Sequence, residues 1–448
     1  MRSRRSAQRP GVLILVQNLP VPFDRRVWQE ACVLRDAGFD VSVICPRSAE
    51  YPAFREELDG IHIRRYRPWL EARNPKGYLV EYAVALSSFT LLTWSLAMRR
   101  RIDVIQACNP PDLLFLVALP WVLLGGKRFV FDHHDVCPEL VVAKGHAADS
   151  RMVRLARVLE RLTFGSAVVS IATNDSFRDI AITRGGMPAG DVFVVRSGPA
   201  QGFDPVSPDP ALKDGRRHLV GYVGIMGIQE GLDYLLDAAQ LLVQQRGPDD
   251  VSFALIGSGP EAARLRARAE AMGLEKHVRF LGRLQGAELV RVLSTADVCV
   301  SPDEVNPMND ISTMNKIVEY MALGRPIVQF DMREGRVSAG SSSAYAVAND
   351  PTSLAEEIGR LLDDPLLREE MGARGRQRFE QELAWSRQVP NLLAAYERAL
   401  SKSAGDVNLR KLRWWRRGWG RHRGSAGAAP AGKAGPVMAP RAVPSADG

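Results

Sequence analysis

The sequence predicts a two-domain α/β protein with a parallel sheet in each domain. Two series of short β-branched runs, separated by longer stretches of helical spacing, indicate repeated βαβ units. Between the series, residues 201–217 (QGFDPVSPDPALKDGRR) hold three prolines and few apolar side chains, and read as a linker. The length of 448 residues suits two domains of about 150–200 residues each.

In chain order, the first series of strands falls at 12–16 (VLILV), 41–45 (VSVIC), 103–106 (DVIQ), 128–131 (RFVF), 168–171 (VVSI) and 192–195 (VFVV). A helix follows the first strand, with Asp24 as its cap and Trp28, Ala31, Cys32 and Arg35 at helical spacing. The stretch 78–98 (YLVEYAVALSSFTLLTWSLAM) has one charge, Glu81, and nears the ~20 residues that span a bilayer. A span would separate the strand at 103–106 from its sheet, so a buried helix is expected, the other reading being an exposed face that touches lipid. The second series falls at 219–223 (LVGYV), 251–256 (VSFALI), 278–281 (VRFL), 297–300 (DVCV) and 326–330 (PIVQF). An amphipathic helix fits 389–401, and the Gly/Ala/Pro-rich tail beyond it cannot bury a core.

The formal net charge of +8 is concentrated at the ends. Residues 1–10 carry +4 and residues 407–448 carry +8, which leaves the body 11–406 at −4. A nucleic-acid-binding body is therefore not expected. Five cysteines, Cys32, Cys45, Cys108, Cys137 and Cys299, are scattered without CxxC spacing, which points to neither a zinc knuckle nor a disulfide framework and suits a reducing compartment. The apolar run Gly11–Val16 is too short for a signal peptide, so residues 1–10 read as a basic arm before the first strand.

Two segments carry chemistry. Gly257-Ser-Gly-Pro-Glu-Ala262 follows a strand and opens a helix, matching the dinucleotide pattern G-x-G-x-x-A, with a plain tight turn as the simpler reading. In 312-STMNKIVEYMALGRP-326, Ser312 reads as a helix cap, with Gly324 and Pro326 marking the end. The first amides of such a helix, at Ser312, Thr313, Met314 and Asn315, suit a diphosphate, and Lys316 adds a full charge. Glu319 lies one turn beyond, where a carboxylate can accept both hydrogen bonds of a ribose diol. The plainer reading is a surface helix with a Lys316–Glu319 pair.

Together, 18-NLPVPFDRRVWQEACVLRDAGFDVSVICP-46, 109-NPPDLL-114, 130-VFDHHD-135, 257-GSGPE-261 and 311-ISTMNKIVEYMALGRPIV-328 resemble the family 4 glycosyltransferases of GT-B fold, in the branch tied to cell-surface polysaccharide assembly. The resemblance covers about residues 11–400. It implies two Rossmann-like domains facing each other across a cleft, with a C-terminal helix crossing back to the first. The expected divisions are a basic arm 1–10, an acceptor domain 11–203, a nucleotide-sugar domain 204–384, a crossover helix 385–401 and a basic tail 402–448.

The resemblance also implies site residues. Glu319 matches the second glutamate of the family's E-x7-E motif, and His134 matches a histidine that contacts the donor sugar, flanked by Asp132 and Asp135. Asp24, Arg25, Arg26, Asn109 and Asp135 fall on the acceptor side, with a solvated helix start and a structural turn as plainer readings of 24–26 and 109–112. Departures are equally specific. Ile311 stands where the first glutamate belongs, with Asp310 beside it as a substitute. In the loop from Gly224, Ile225 and Glu230 replace an arginine and a lysine that bind diphosphate. Lys316, then Arg283, are the remaining candidate cations, and Gly224, Gly257 and Gly259 line the donor loops.

The expected activity is retaining, metal-independent transfer of a sugar from a nucleotide-diphosphate donor to a lipid-linked or growing glycan acceptor, without a cofactor. A metal site at 132-DHHD-135 ranks below the sugar reading, because neighbours on an extended segment point to opposite faces. The expected partners are the nucleotide sugar, the glycan acceptor and, through 409-LRKLRWWRRGWGRHR-423, an anionic membrane surface rather than nucleic acid. A cytoplasmic protein on the inner face of the plasma membrane follows. The rival readings are a non-catalytic nucleotide-sugar-binding protein and an NAD-dependent oxidoreductase using 257–262.

Overall fold

The computed structural model describes residues 9–68, 75–199 and 202–403, whose strands form two sheets. The first holds β1 (Gly11–Leu15), β2 (Asp40–Pro46), β3 (Arg55–Leu58), β4 (Ile61–Tyr66), β5 (Val104–Cys108), β6 (Arg128–His133), β7 (Val169–Ala172) and β8 (Val192–Val194). Their order is β3-β4-β2-β1-β5-β6-β7-β8, and only β3 runs antiparallel to its neighbour. The second sheet is wholly parallel, ordered β11-β10-β9-β12-β13-β14. Its strands are β9 (His218–Val223), β10 (Val251–Ile256), β11 (Val278–Gly282), β12 (Val298–Ser301), β13 (Ile327–Phe330) and β14 (Ser343–Ala346).

The helices of the first domain are α1 (Arg25–Asp36), α2 (Pro75–Ala97), α3 (Phe115–Gly125), α4 (Cys137–Ala143), α5 (Arg151–Ser166) and α6 (Asp175–Thr183). The second domain carries α7 (Leu232–Arg246), α8 (Ala262–Ala271), α9 (Gly286–Thr295), α10 (Asn315–Ala322), α11 (Arg333–Ala339), α12 (Pro351–Asp363) and α13 (Pro365–Arg378). The final helix, α14 (Trp385–Ser401), returns to the first sheet. There Tyr396 is fully buried, with its ring edge-on to Phe39 at 5.7 Å. The central strands are buried on both faces, as helices covering both sides of a parallel sheet require.

Strand order reverses between β1 and β5 in the first sheet and between β9 and β12 in the second. Such switch points open a crevice at the carboxyl ends of the strands. The loops leaving β1, β5 and β6 and those leaving β9 and β12 therefore face the cleft, and every expected site residue but Arg283 lies in or next to one of those loops or the turn after β10.

Three expectations need correction. The hairpin β3–β4 and the edge strand β14 are additional. The hairpin turns at Asp59 and Gly60, both at positive φ (50° and 76°), the backbone that an Asp-Gly turn favours. Ser312 does not cap a helix: its hydroxyl donates to the Met308 carbonyl (2.7 Å), and α10 starts three residues later after Met314, which makes no side-chain cap. Finally, α2 is not a buried helix. Ala85, Phe89, Thr93 and Leu96 face inward, but Leu91 is 71% exposed and Trp94 54%. The apolar stretch Val80–Ala97 is long and apolar enough to cross a membrane, and only 22% of it is buried. The basic arm 1–8 and the tail 404–448 lie outside the described residues.

Candidate active site in the cleft

On the first-domain side, α1 begins with Asp24, whose carboxylate accepts from the Val27 amide (3.1 Å) and so serves the helix rather than the cleft. Its two neighbours diverge. Arg25 points across the cleft. Arg26 turns inward, donating through Nη1 to the Val195 carbonyl (2.8 Å) and through Nη2 to Asp132 (3.0 Å), with Glu30 one turn on at 3.2 Å. Gln106 on β5 ties the two carboxylates together, donating to Glu30 (2.7 Å) and to Asp132 (3.1 Å), while the Tyr396 hydroxyl donates to the Gln106 side-chain oxygen Oε1. Burial, then the Asp132 charge, pushes Glu30 up to about 8 against the pull of Arg26. The cluster thus sets Asp132 against Arg26, with Glu30 shifted towards its protonated form.

His134 completes this cluster. Its Nε2 lies 2.5 Å from Asp132 Oδ2 and 3.0 Å from Arg26 Nε. One ring nitrogen can serve only one of them. Burial works to lower the imidazole, but the Asp132 carboxylate raises it further, and the net shift is upward. Nε2–H therefore points at Asp132, which leaves Nδ1 free of that carboxylate. Asp132 is the orienting group; Asp135 does not touch the ring. Asn109 fixes the backbone instead: its Oδ1 accepts from the His134 amide (2.7 Å) and the Asp135 amide (3.1 Å), and its Nδ2 donates to Asp112 (2.9 Å). Asn109 thus positions His134 from a loop with cis peptides at Pro110 and Pro111. The adjacent His133 is a core residue, its ring among Phe131, Phe164 and Phe177, and burial pushes it down to about 3.

Cys108, Asp132 and His134 offer ligand atoms within 4.8 Å of one another. The set does not suit a divalent ion. The Arg26 guanidinium already pairs with Asp132 (3.0 Å), and Gln106 donates to the same carboxylate (3.1 Å).

On the second-domain side, α10 presents Lys316 and Glu319, both buried. Lys316 is not a free cation: Nζ pairs with Asp303 (2.5 Å) from the loop after β12 and with Glu230 (2.8 Å) from the loop after β9. Burial, with Lys316 opposing, raises Glu230. Glu319 is paired across the cleft with Arg25 (2.7 Å). Asn315, a full turn earlier, is exposed and takes no part.

The departures at 310–313 have structural accounts. Ile311 packs against the first-domain core, and its carbonyl accepts from Asn174 (2.9 Å), which also donates to Thr313 Oγ1 (3.0 Å). An isoleucine therefore stands here because the position joins the domains. Asp310 is committed elsewhere, accepting from the Arg333 amide (2.9 Å) at the start of α11. Met314 is partly buried against the second-domain core, and the exposed Arg283 stacks its guanidinium 4.6 Å from the Phe23 ring of the first domain. Gly257 and Gly259 serve backbone packing: a Cβ on Gly257, at φ 139°, would sit 1.8 Å from the Gly224 carbonyl oxygen, and one on Gly259 would strike the Met226 backbone. Gly224 itself is crowded by the Tyr222 hydroxyl. These contacts need no dinucleotide, which takes away the support for the oxidoreductase reading.

Residues 24–198 match the glycosyl transferase 4-like domain and residues 217–364 match the glycosyl transferases group 1 domain. The chain belongs to the family 4 glycosyltransferases. The glycosyltransferase is 30% identical over 171 residues to a phosphatidyl-myo-inositol mannosyltransferase of Mycobacterium leprae, covering 38% of this chain and 43% of that one. It is 29% identical over 157 residues to an alpha-D-kanosaminyltransferase of Streptomyces kanamyceticus, covering 35% and 39%. The chain thus spans about two-fifths of the curated relatives it matches. Sucrose-phosphate synthase of Thermosynechococcus elongatus superposes with a TM-score of 0.72 at 17% identity, over 88% of this chain and all of that one. HepE of Anabaena in complex with UDP gives 0.64 at 15%, over 86% and 99%. These likenesses establish the GT-B fold of the glycosyltransferase.

Sequence reasoning named Arg26, His134, Lys316 and Glu319 but not Glu30, Gln106, Asp303 or Tyr396. The Arg26–Glu30 spacing of four was visible. The rest meet only through the fold.

Proposed function

We propose that the glycosyltransferase is a retaining, metal-independent enzyme that moves a sugar from a nucleoside-diphosphate donor to a lipid-linked or growing glycan acceptor at a cytoplasmic membrane face. The observation that supports it is the Arg25–Glu319 pair. It sets a buried carboxylate on α10 at the cleft, where a ribose diol can displace one guanidinium, opposite the His134 ring. The donor sits on the second domain, with its diphosphate before α10. Glu230, already raised by burial, takes a proton there and releases Lys316 towards the phosphate. Arg25 and Arg283 add charge from the rim. The acceptor hydroxyl attacks C1 on the face the diphosphate leaves. As the C1–O bond to phosphate breaks, a phosphate oxygen takes the hydroxyl proton. His134, held by Asp132 through Nε2, turns Nδ1 to a hydroxyl of the donor sugar. The charged tryptophan-rich segment 409–423 would hold the chain at an anionic surface, and it lies outside the described residues.

The test is turnover with a panel of nucleotide sugars, with product anomers read by NMR, in the presence and absence of chelator. The α-linked product is expected from an α-linked donor, with activity unchanged by chelator. His134→Ala should lose about 10²–10³-fold in kcat while keeping its fold. Inverted product, or loss in chelator restored by a divalent ion, would refute the corresponding part. Glu230 and Ile311, which depart from the family pattern, favour a second reading as a non-catalytic nucleotide-sugar binder. Binding without turnover for every donor would select it.

A further inference from the structure

We infer that the outer face formed by α2, α3 and α5 is a second, folded membrane-docking surface, which lays the first domain on an anionic bilayer. This goes beyond the reaction and does not depend on it. The face is continuous, since α2 packs on α3 and α3 on α5, and the Trp94 and Trp121 rings meet at 5.0 Å. It exposes Leu91, Trp94 and Met98 from α2 and the segment after it, Leu116, Leu123 and Leu124 from α3, and Met152, Leu155 and Val158 from α5. Scattered apolar side chains are ordinary on a surface, but a contiguous set on three adjoining helices is an interaction site.

The charge pattern selects the occupant. Every charged residue exposed on α5 is an arginine: Arg151, Arg154, Arg157 and Arg161. Of these, Arg151, Arg154 and Arg157 form no ion pair among the described residues. The segment after α2 adds Arg99, which forms no ion pair among the described residues, beside Arg100 and Arg101, which pair with Asp40 (2.8 Å) and Asp103 (2.7 Å). A second copy of the chain meeting this face about a twofold axis would bring like charges together. An anionic lipid surface satisfies both features: apolar side chains enter the acyl boundary while arginines stay at the headgroups.

The helix lies on the bilayer rather than through it. It joins β4 to β5, and both strands belong to one hydrogen-bonded sheet through β2 and β1. A single crossing would place them on opposite sides of the membrane.

The test uses the full-length chain and vesicles of phosphatidylcholine with and without phosphatidylglycerol, read by co-sedimentation. Wild type should bind the anionic vesicles. The variant Leu91→Glu/Met98→Glu/Leu124→Glu should bind at least about ten-fold more weakly, since each lost side chain forfeits its burial. Arg151→Glu/Arg154→Glu/Arg157→Glu should lose about as much, and only on anionic vesicles. These side chains are exposed, so melting temperatures should match wild type, and either variant alone tests the face if the other unfolds. Binding of both folded variants at wild-type strength would assign the membrane contact to the tail and overturn the proposal. So would a wild type that ignores vesicles, or one whose face proves by light scattering to be a dimer contact broken by the leucine variant. Donor binding is measured alongside and should not change, which keeps a failure here separate from the reading of the reaction.

Discussion

Each side of the cleft carries a cation facing two carboxyl groups, and the two clusters are built differently. In the first domain Arg26 faces Asp132 and Glu30; in the second, Lys316 faces Asp303 and Glu230. Burial raises the surplus carboxyl in both, Glu30 and Glu230. The difference lies in what covers it. Glu30 is sealed beneath Gln106 and Tyr396, whereas the Glu230 side chain is 25% exposed, on a loop beside the exposed Ile225 and Ile228. An arginine fork with fixed hydrogen bonds suits a permanent scaffold, and a lysine suits a partner that exchanges. The first cluster holds the structure; in the proposed reaction the second trades a carboxylate for a phosphate.

The sharpest way to break this comparison is to remove each cation. Arg26→Ala leaves Asp132 buried without its main partner and should cost about 3–5 kcal/mol in denaturant unfolding. Lys316→Ala likewise strands a buried carboxylate, Asp303, and should cost a similar amount of stability, but it should also lower kcat, and by more than it lowers donor affinity. An unchanged kcat would mean that both clusters are scaffolds. A severe Arg283→Ala beside a silent Lys316→Ala would move the phosphate contact to Arg283.

A smaller effect sharpens the role of the cleft-crossing pair. Glu319→Ala should weaken nucleoside-diphosphate binding by about 1.5–3 kcal/mol in calorimetry, the range of a charged hydrogen bond. Arg25→Ala frees the same carboxylate and should not weaken it to that degree. If both variants lose equally, Arg25 binds the nucleotide itself.

The last effect, small at neutral pH and growing in acid, tests the core histidine. The His133 ring is held neutral, with its value lowered from 6.5 to about 3, so the folded state binds fewer protons than the unfolded one. Its contribution is complete above 6.5 and is lost as pH falls towards 3, by up to about 1.4 kcal/mol per pH unit. His133→Phe should unfold less readily in acid while changing stability little at neutral pH. An unchanged acid transition would refute this assignment.

The parallel strands were legible because their runs are buried on both faces and carry no polar alternation. The β3–β4 hairpin is marked only by Asp59-Gly60 between short charged strands, and β14 (SAYA) by small side chains, so composition gave little to read. Within the site, spacing along one helix placed Lys316 and Glu319 correctly. It could not show that Asp303 and Glu230 come from two other loops to meet Lys316, nor that Ile311 is apolar because it joins the domains. The exposure of α2 was hidden for a related reason: an apolar helix looks the same in sequence whether protein or lipid covers it.

The return of α14 has a consequence for synthesis. Tyr396 supplies the hydrogen bond that holds Gln106 against Glu30 and Asp132, and Tyr396, Leu392 and Ala399 belong to the first domain's core. The domain that leaves the ribosome first therefore stays incomplete until nearly the whole described chain has followed it. The second domain, whose strands all lie between His218 and Ala346, can close its sheet before that. A nascent chain halted after Ala384 would carry a finished second domain beside an open first domain.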